Sequence, residues 1–110
     1  MITDINLIAE QCGEDSRTWF PDLASSTTFM ALAAAGEVGE LCNLIKKVER
    51  GTHSPEDVAG QVVSEAMDAI IYLLNILDIE GQDVAALYDK IRENNARRFG
   101  VPSTTCPGGC

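Results

Sequence analysis

Two pairs of carboxylates are the residues of this sequence best placed to do chemistry, because each pair lies in an otherwise apolar stretch. Glu37 and Glu40 form the first pair, and Glu65 and Asp68 form the second. Residues three apart in a helix project from one face about a turn from each other, so each pair can act together. Unpaired carboxylates in apolar surroundings either take up protons or bind a cation, and oxygen ligands suit Mg²⁺ or Mn²⁺. The pattern therefore indicates a divalent-cation site where the two helices pack together.

The spacing of these acids is not diagnostic by itself. Asp and Glu occupy 17 of 110 positions, from which chance gives roughly two or three acidic pairs three residues apart. The apolar setting carries the argument instead, since neither pair has a Lys or Arg at helical pairing distance. The alternative interpretation is that the four acids form the solvated faces of two amphipathic helices.

Basic and amide side chains are concentrated near the end of the last predicted helix. The cluster consists of Lys90, Asn94, Asn95, Arg97 and Arg98. Lys90, Asn94 and one of the two arginines share a helical stripe and could grip phosphate oxygens. The alternative is that these cations only complement the negative end of the helix dipole.

Capping residues, glycines and prolines divide the chain into four predicted helices. We expect the helices to run from Thr3 to about Cys12, from caps at Ser25–Thr27 to about Arg50, from Ser54 to about Glu80 and from Asp83 to about Gly100. Residues 13–24, which contain Pro21, are expected to be irregular, and residues 101–110 to form a flexible tail. Strand signals are absent, so the sequence predicts a single all-α domain over residues 1–100.

The segment Ala69–Leu77 is apolar nearly all round, which is typical of a helix buried on every side. A chain of 110 residues has room for one small domain, and small domains bury a limited fraction of their surface. Four short helices cannot easily enclose such a segment. We therefore expect a homo-oligomer in which this helix packs against its mate.

The charge balance of the chain is strongly acidic, with 8 Lys and Arg against 17 Asp and Glu and a formal net charge of −9. Such a surface repels phosphate backbones, which argues against a nucleic-acid partner. A small phosphorylated ligand stays compatible with this charge, because a divalent metal can bridge carboxylates to phosphates.

No pattern in the sequence indicates secretion or a membrane partner. The longest apolar run, Ala69–Leu77, is too short to span a bilayer, and the N-terminus lacks the basic flank of a secretion signal. The cysteines form no regular disulfide framework. Cys12 and Cys42 are expected to fill the core, and Cys106 and Cys110 fall in the tail. We therefore expect a cytoplasmic protein.

Three motifs follow one another along the chain: Glu37-x-x-Glu40, Glu65-x-x-Asp68 and Lys90-x-x-x-Asn94-x-x-Arg97. This ordered set resembles the MazG-like superfamily of all-α nucleoside triphosphate pyrophosphohydrolases. The surrounding stretches Ala31–Leu41 and Asp68–Leu73 are similar to the dCTP-pyrophosphatase branch and to short phage or bacterial MazG-like proteins. The resemblance covers roughly Trp19 to Phe99. It implies a four-helix, MazG-like bundle completed by homo-oligomerisation, as a dimer or a dimer of dimers.

The resemblance also implies an activity and a set of roles. The four carboxylates would be the catalytic metal ligands, holding Mg²⁺ or Mn²⁺ on the triphosphate of a nucleotide substrate. Water would attack the α-phosphorus and release a nucleoside monophosphate and pyrophosphate. The implied substrate-binding residues contact the outer phosphates, line the pocket or stack on the base: Lys90, Asn94, Arg97 and Arg98 for the phosphates, Tyr72 for the pocket, and Trp19 with Phe20 for the base.

The chain departs from the family pattern at three places. Gly36 stands where many members carry a further Glu, so the general base is unassigned, and Ser64 stands where many have a second acid. Lys47 stands near the position of a Trp in the dCTP-type enzymes, so a preference for cytosine does not carry over. Two rival interpretations stay open: a catalytically weak nucleotide- or metal-binding regulatory module, and an acidic helical adaptor.

Overall fold

The computed structural model describes residues 3–100, and within them it contains α-helices and no strand. The four helices are α1 (Ile5–Trp19), α2 (Thr27–Glu49), α3 (Pro55–Ile79) and α4 (Val84–Phe99). The predicted all-α class is confirmed. The expected flexible tail, with its two cysteines, lies outside the described residues.

The boundaries of α2, α3 and α4 lie close to those predicted, because the expected caps form. Ser26 accepts a hydrogen bond from the backbone N–H of Phe29 at the start of α2. Ser54 and Asp57 form a reciprocal capping box at the start of α3. Asp83 caps α4, and Gly100 ends it in the left-handed conformation, with φ of 74°.

The prediction for α1 was wrong at both ends. The N-cap is Asp4 rather than Thr3, and the helix continues beyond Cys12 to Trp19. The reason is tertiary: Gly13, which seemed to break the helix, lies directly against the side chain of Asp78 on α3. Close packing between the two helices thus offsets the poor helix propensity of glycine, which is about 1 kcal/mol.

The helices pack around α3. α2 packs along one side of it, α1 along another, and α4 packs chiefly on α1. Phe29 near the start of α2 contacts Tyr72 late in α3, whereas Leu44 and Gln61 share a groove nearer the other end, so the two helices are antiparallel.

One cluster of the core joins α1, α3 and the start of α4, and its buried members are Ala9, Cys12, Leu74 and Val84. Met30 and Ala34 on α2 and Ala69 on α3 are further buried apolar residues. Cys12 is therefore a core residue as predicted, whereas Cys42 is exposed on α2, contrary to expectation.

A single chain leaves much of the apolar surface of α2 and α3 in water. Leu32 on α2 is 70% exposed, and Val63 and Met67 on α3 are 67% and 54% exposed. Even within the segment Ala69–Leu77, Leu73 is 49% exposed. The helices of one chain do not cover these surfaces.

By length and composition alone, α2 is apolar enough to cross a membrane, and it is the one such helix among residues 3–100. This criterion is weak, because the core helix of a soluble protein also meets it. Glu37 and Glu40 lie near the middle of α2, where charged side chains would be costly in hydrocarbon.

Candidate metal centre and adjoining groove

The α2–α3 hairpin brings three carboxylates from two helices to one place. Glu37 on α2, together with Glu65 and Asp68 on α3, offers oxygen atoms that lie within 4.8 Å of one another. Glu37 and Glu65 are half-buried, whereas Asp68 is exposed. Oxygen donors at this separation form a set that could hold a divalent cation.

Glu40, the fourth predicted ligand, lies beside this group. It is an exposed residue of α2 that lines a groove together with Glu65. Glu40 follows Glu37 by slightly less than a helical turn, so both side chains project towards α3. All four predicted carboxylates therefore lie at one junction, with three of them within 4.8 Å.

Glu65 has a clearly perturbed ionisation. Hydrogen bonding with the carboxylates of Glu37 and Glu40 raises the pKa of Glu65 to about 7, and burial and the two like charges add to this effect. Two carboxyl groups share a hydrogen bond only when one of them holds a proton, which favours the neutral form of Glu65.

One oxygen of Glu65 lacks any partner. Its Oε2 atom is buried and accepts no hydrogen bond from any residue that the structure describes. A buried oxygen of this kind is uncommon in folded proteins. A divalent cation held with Glu37 and Asp68 would supply the missing partner, so the residues present fit Mg²⁺ or Mn²⁺.

A groove of about 320 Å³ adjoins the carboxylates between α2 and α3. Its lining residues, which are mostly polar, are Glu40, Asn43, Leu44, Lys47, Gln61 and Glu65. Sequence reasoning did not select Asn43 or Gln61. The available signal was their spacing: Asn43 follows Glu40 by three residues and Gln61 precedes Glu65 by four, which places each on the face of the acid.

Tyr72, predicted to line the pocket, lies on α3 one turn beyond Asp68. Its half-buried ring packs edge to face against Phe29, with ring centroids 6.4 Å apart and an angle of 84°. This aromatic pair lies at the opposite end of the carboxylate cluster from Lys47, because α2 and α3 are antiparallel.

The predicted phosphate-binding residues lie on α4, which packs chiefly on α1. Lys90, Asn94, Arg97 and Arg98 are all exposed. Arg97 donates hydrogen bonds to Glu93, at 3.0 Å, and to Asn94. The guanidinium of Arg98 lies 5.3 Å from the ring centroid of Phe99. Within residues 3–100, no hydrogen bond or ion pair joins these four side chains to the carboxylates.

Trp19, the predicted base-stacking residue, is the last residue of α1 and is 67% exposed. Its indole makes no hydrogen bond or ring contact in the described part of the chain. One chain therefore does not connect Trp19 to the carboxylates.

No family model matches this chain, and no curated protein or solved structure matches it either.

Proposed function

We propose that this protein is a metal-dependent nucleoside triphosphate pyrophosphohydrolase. The observation that supports this most is the cluster of Glu37, Glu65 and Asp68, drawn from two helices and containing a buried carboxylate oxygen without a partner. The ordered motifs that resemble the MazG-like superfamily add the reaction type. A regular solvated helix face would leave its carboxylates separated and hydrated, which does not describe Glu65.

The proposed reaction is hydrolysis of the bond between the α- and β-phosphates. An oxygen of water forms a bond to the α-phosphorus, the α–β bridging bond breaks, and its electron pair leaves with pyrophosphate. Bound Mg²⁺ or Mn²⁺ supplies charge neutralisation and a lowered pKa for the water. Glu37, Glu40, Glu65 and Asp68 would hold the metal, and through it they would orient the phosphates. The residue that accepts the proton from water is unassigned, since Gly36 offers no side chain.

The active form in this proposal is a homo-oligomer, a dimer or a dimer of dimers. The exposed Leu32, Val63 and Met67 supply apolar surface for the interface. Association would also bring the α4 residues and Trp19 of one subunit towards the carboxylates of another, which one chain does not do. We place the protein in the cytoplasm, where its nucleotide substrates are found.

Product analysis tests the proposed function. Purified protein is incubated with each canonical nucleoside triphosphate and deoxynucleoside triphosphate plus Mg²⁺ or Mn²⁺, and the products are resolved by chromatography. Monophosphate with pyrophosphate is the expected result. Diphosphate with orthophosphate would contradict the proposed mechanism while keeping an enzyme.

A second candidate function is a nucleotide- or metal-binding regulatory module with weak catalysis. It is favoured by Gly36, because a glycine at this position supplies no acid that could act as a general base. A Cβ at Gly36 would meet nothing within 4 Å, so neighbouring side chains do not exclude an acid there. Nucleotide binding without turnover, measured by calorimetry with Mg²⁺ present, would support this module over the enzyme.

A further inference from the structure

We propose that the groove beside the carboxylates receives the nucleobase, and that Lys47 makes it prefer bases that present a carbonyl oxygen over bases that present an amino group. The carbonyl bases are guanine, with O6, and thymine and uracil, with O4. The amino bases carry an NH₂ group at the equivalent position, which is N6 in adenine and N4 in cytosine. This inference rests on the proposed function, because it names the substrates of the same site.

The groove extends from the carboxylates along the α2–α3 junction. Glu40, Glu65 and Lys47 all line it. From the order of these residues along the two antiparallel helices, we infer that Glu40 and Glu65 lie towards one end and Lys47 towards the other. Lys47 follows Glu40 by two helical turns, which is about 10 Å along α2. A nucleotide whose phosphates lie at the carboxylates therefore has a groove of the right direction and length for its nucleoside.

The lining of the groove suits a flat, polar heterocycle. Leu44 is buried and supplies an apolar wall, while Asn43 on α2 and Gln61 on α3 supply amides. The side chains of Asn43, Lys47 and Gln61 make no hydrogen bond to another described residue. Apolar surface with a few convergent polar groups is the usual lining of a small-molecule site.

The position of the metal site favours a base over the outer phosphates in the rest of the groove. Apart from Glu40 and Glu65 at the carboxylate end, Lys47 is the one charged residue among those that line it. A metal ion at the carboxylates would hold the triphosphate at that end, which leaves the rest of the groove to the uncharged part of the nucleotide.

Lys47 decides which bases fit. An ammonium group has three donors and no acceptor, whereas the amides of Asn43 and Gln61 can both donate and accept. A carbonyl oxygen accepts a hydrogen bond from Lys47, but an amino group at the same position presents hydrogen atoms to it. We expect discrimination of about tenfold, within the range of a single well-placed base contact.

The test compares kcat/KM for dGTP, dTTP, dATP and dCTP with Mg²⁺ in wild type, Lys47→Met and Lys46→Met. Lys46 is the matched control, because it is an exposed neighbouring lysine of α2 that does not line the groove. Wild type and Lys46→Met are expected to prefer dGTP and dTTP about tenfold over dATP and dCTP. Lys47→Met is expected to lose this preference.

Two results would overturn the inference while leaving the proposed function intact. The first is equal kcat/KM for all four nucleotides in wild type. The second is an equal loss for all four in Lys47→Met, which would assign Lys47 to the phosphates.

Absence of hydrolysis would overturn the proposed function but not yet the groove assignment. Calorimetry with the non-hydrolysable α,β-methylene analogues of dGTP and dATP then decides. Tighter binding of the dGTP analogue that is lost in Lys47→Met supports the assignment, and binding of neither analogue overturns it.

Discussion

Glu65 shows at the residue scale how environment rather than spacing defines this site. The sequence places it in an acidic pair, which chance alone could produce. Its raised pKa and its unpartnered oxygen arise only because α2 brings Glu37 and Glu40 against it. The sequence therefore predicted the carboxylates but not which of them is perturbed, since that depends on contacts across the hairpin.

Without metal, the stability of the protein is expected to fall as the pH rises from about 4.5 to about 7. Folded Glu65 holds its proton more tightly than the unfolded chain does, so its stabilisation is complete below the ordinary pKa and is lost as pH rises through the raised pKa. Urea unfolding in EDTA should therefore give a lower midpoint concentration of urea near pH 8 than near pH 5.

The matched variants for this pH dependence are Glu65→Gln and Glu14→Gln. Glu65→Gln removes the titrating group and should flatten the dependence, whereas Glu14 is an exposed acid of α1 away from the hairpin. An unchanged pH dependence in Glu65→Gln would show that Glu65 does not titrate as described.

Loss of a metal ligand should abolish turnover without unfolding the chain. We expect Glu40→Gln or Asp68→Asn to lower kcat/KM by about 100-fold or more. Substitution of residues that only support metal ligands costs about 10- to 100-fold, and loss of a ligand itself should cost at least as much. The helical circular dichroism should persist, and stability without metal should rise because carboxylate repulsion is relieved. Near-normal activity in both variants would make the ligand assignment wrong.

At the scale of elements, local signals predicted the bounds of α2, α3 and α4 well and those of α1 poorly. The caps at Ser26, Ser54 and Asp83 act within a few residues of sequence, so they can be read directly. The extension of α1 cannot, because Gly13 is helical only through its packing on Asp78 of α3. A buried hydrogen bond of 3.0 Å from Ser16 to Asn75 fixes the same contact.

Gly13→Ala tests this packing against helix propensity. An added Cβ would displace the Asp78 carboxylate from its place beside Gly13 and weaken its ion pair with Arg17. We expect the free energy of unfolding to fall by about 1 kcal/mol, although alanine is the better helix former. Urea unfolding followed by circular dichroism measures the change.

The control for this substitution is Gly60→Ala in α3. A Cβ there meets nothing within 4 Å, so the variant should gain up to about 1 kcal/mol from helix propensity. If both variants were stabilised equally, close packing at Gly13 would not explain the length of α1.

At the scale of the whole molecule, two features of the single chain bear on the proposed assembly. The outer surfaces of α2 and α3 stay apolar and exposed, and the α4 cations lie apart from the carboxylates they were expected to serve. The segment Ala69–Leu77 predicted apolar surface in excess of what one chain covers on α3, but it gave no indication of the exposed apolar side chains of α2. The sequence could not place α4, because helix packing order is not encoded in local periodicity.

Oligomerisation should cover the exposed apolar surfaces and bring the α4 cations towards the carboxylates. We expect it to depend on the outer face of α3. Light scattering at micromolar concentration is expected to give two or four times the 11.8 kDa chain mass. Val63→Glu should shift the mass towards one chain, because a charge would replace a largely exposed apolar side chain. Thr18→Glu, an exposed position on α1 away from the outer faces of α2 and α3, serves as the control. A monomeric wild-type mass would contradict the proposed assembly.

The most direct test of the central claim follows the attacking oxygen. Wild type and Asp68→Asn are given a nucleoside triphosphate with Mg²⁺ in water labelled with heavy oxygen, and the products are analysed by mass spectrometry. The account predicts label in the nucleoside monophosphate, formed by wild type and not by Asp68→Asn. Label in pyrophosphate or orthophosphate, or equal labelling by both proteins, would contradict it.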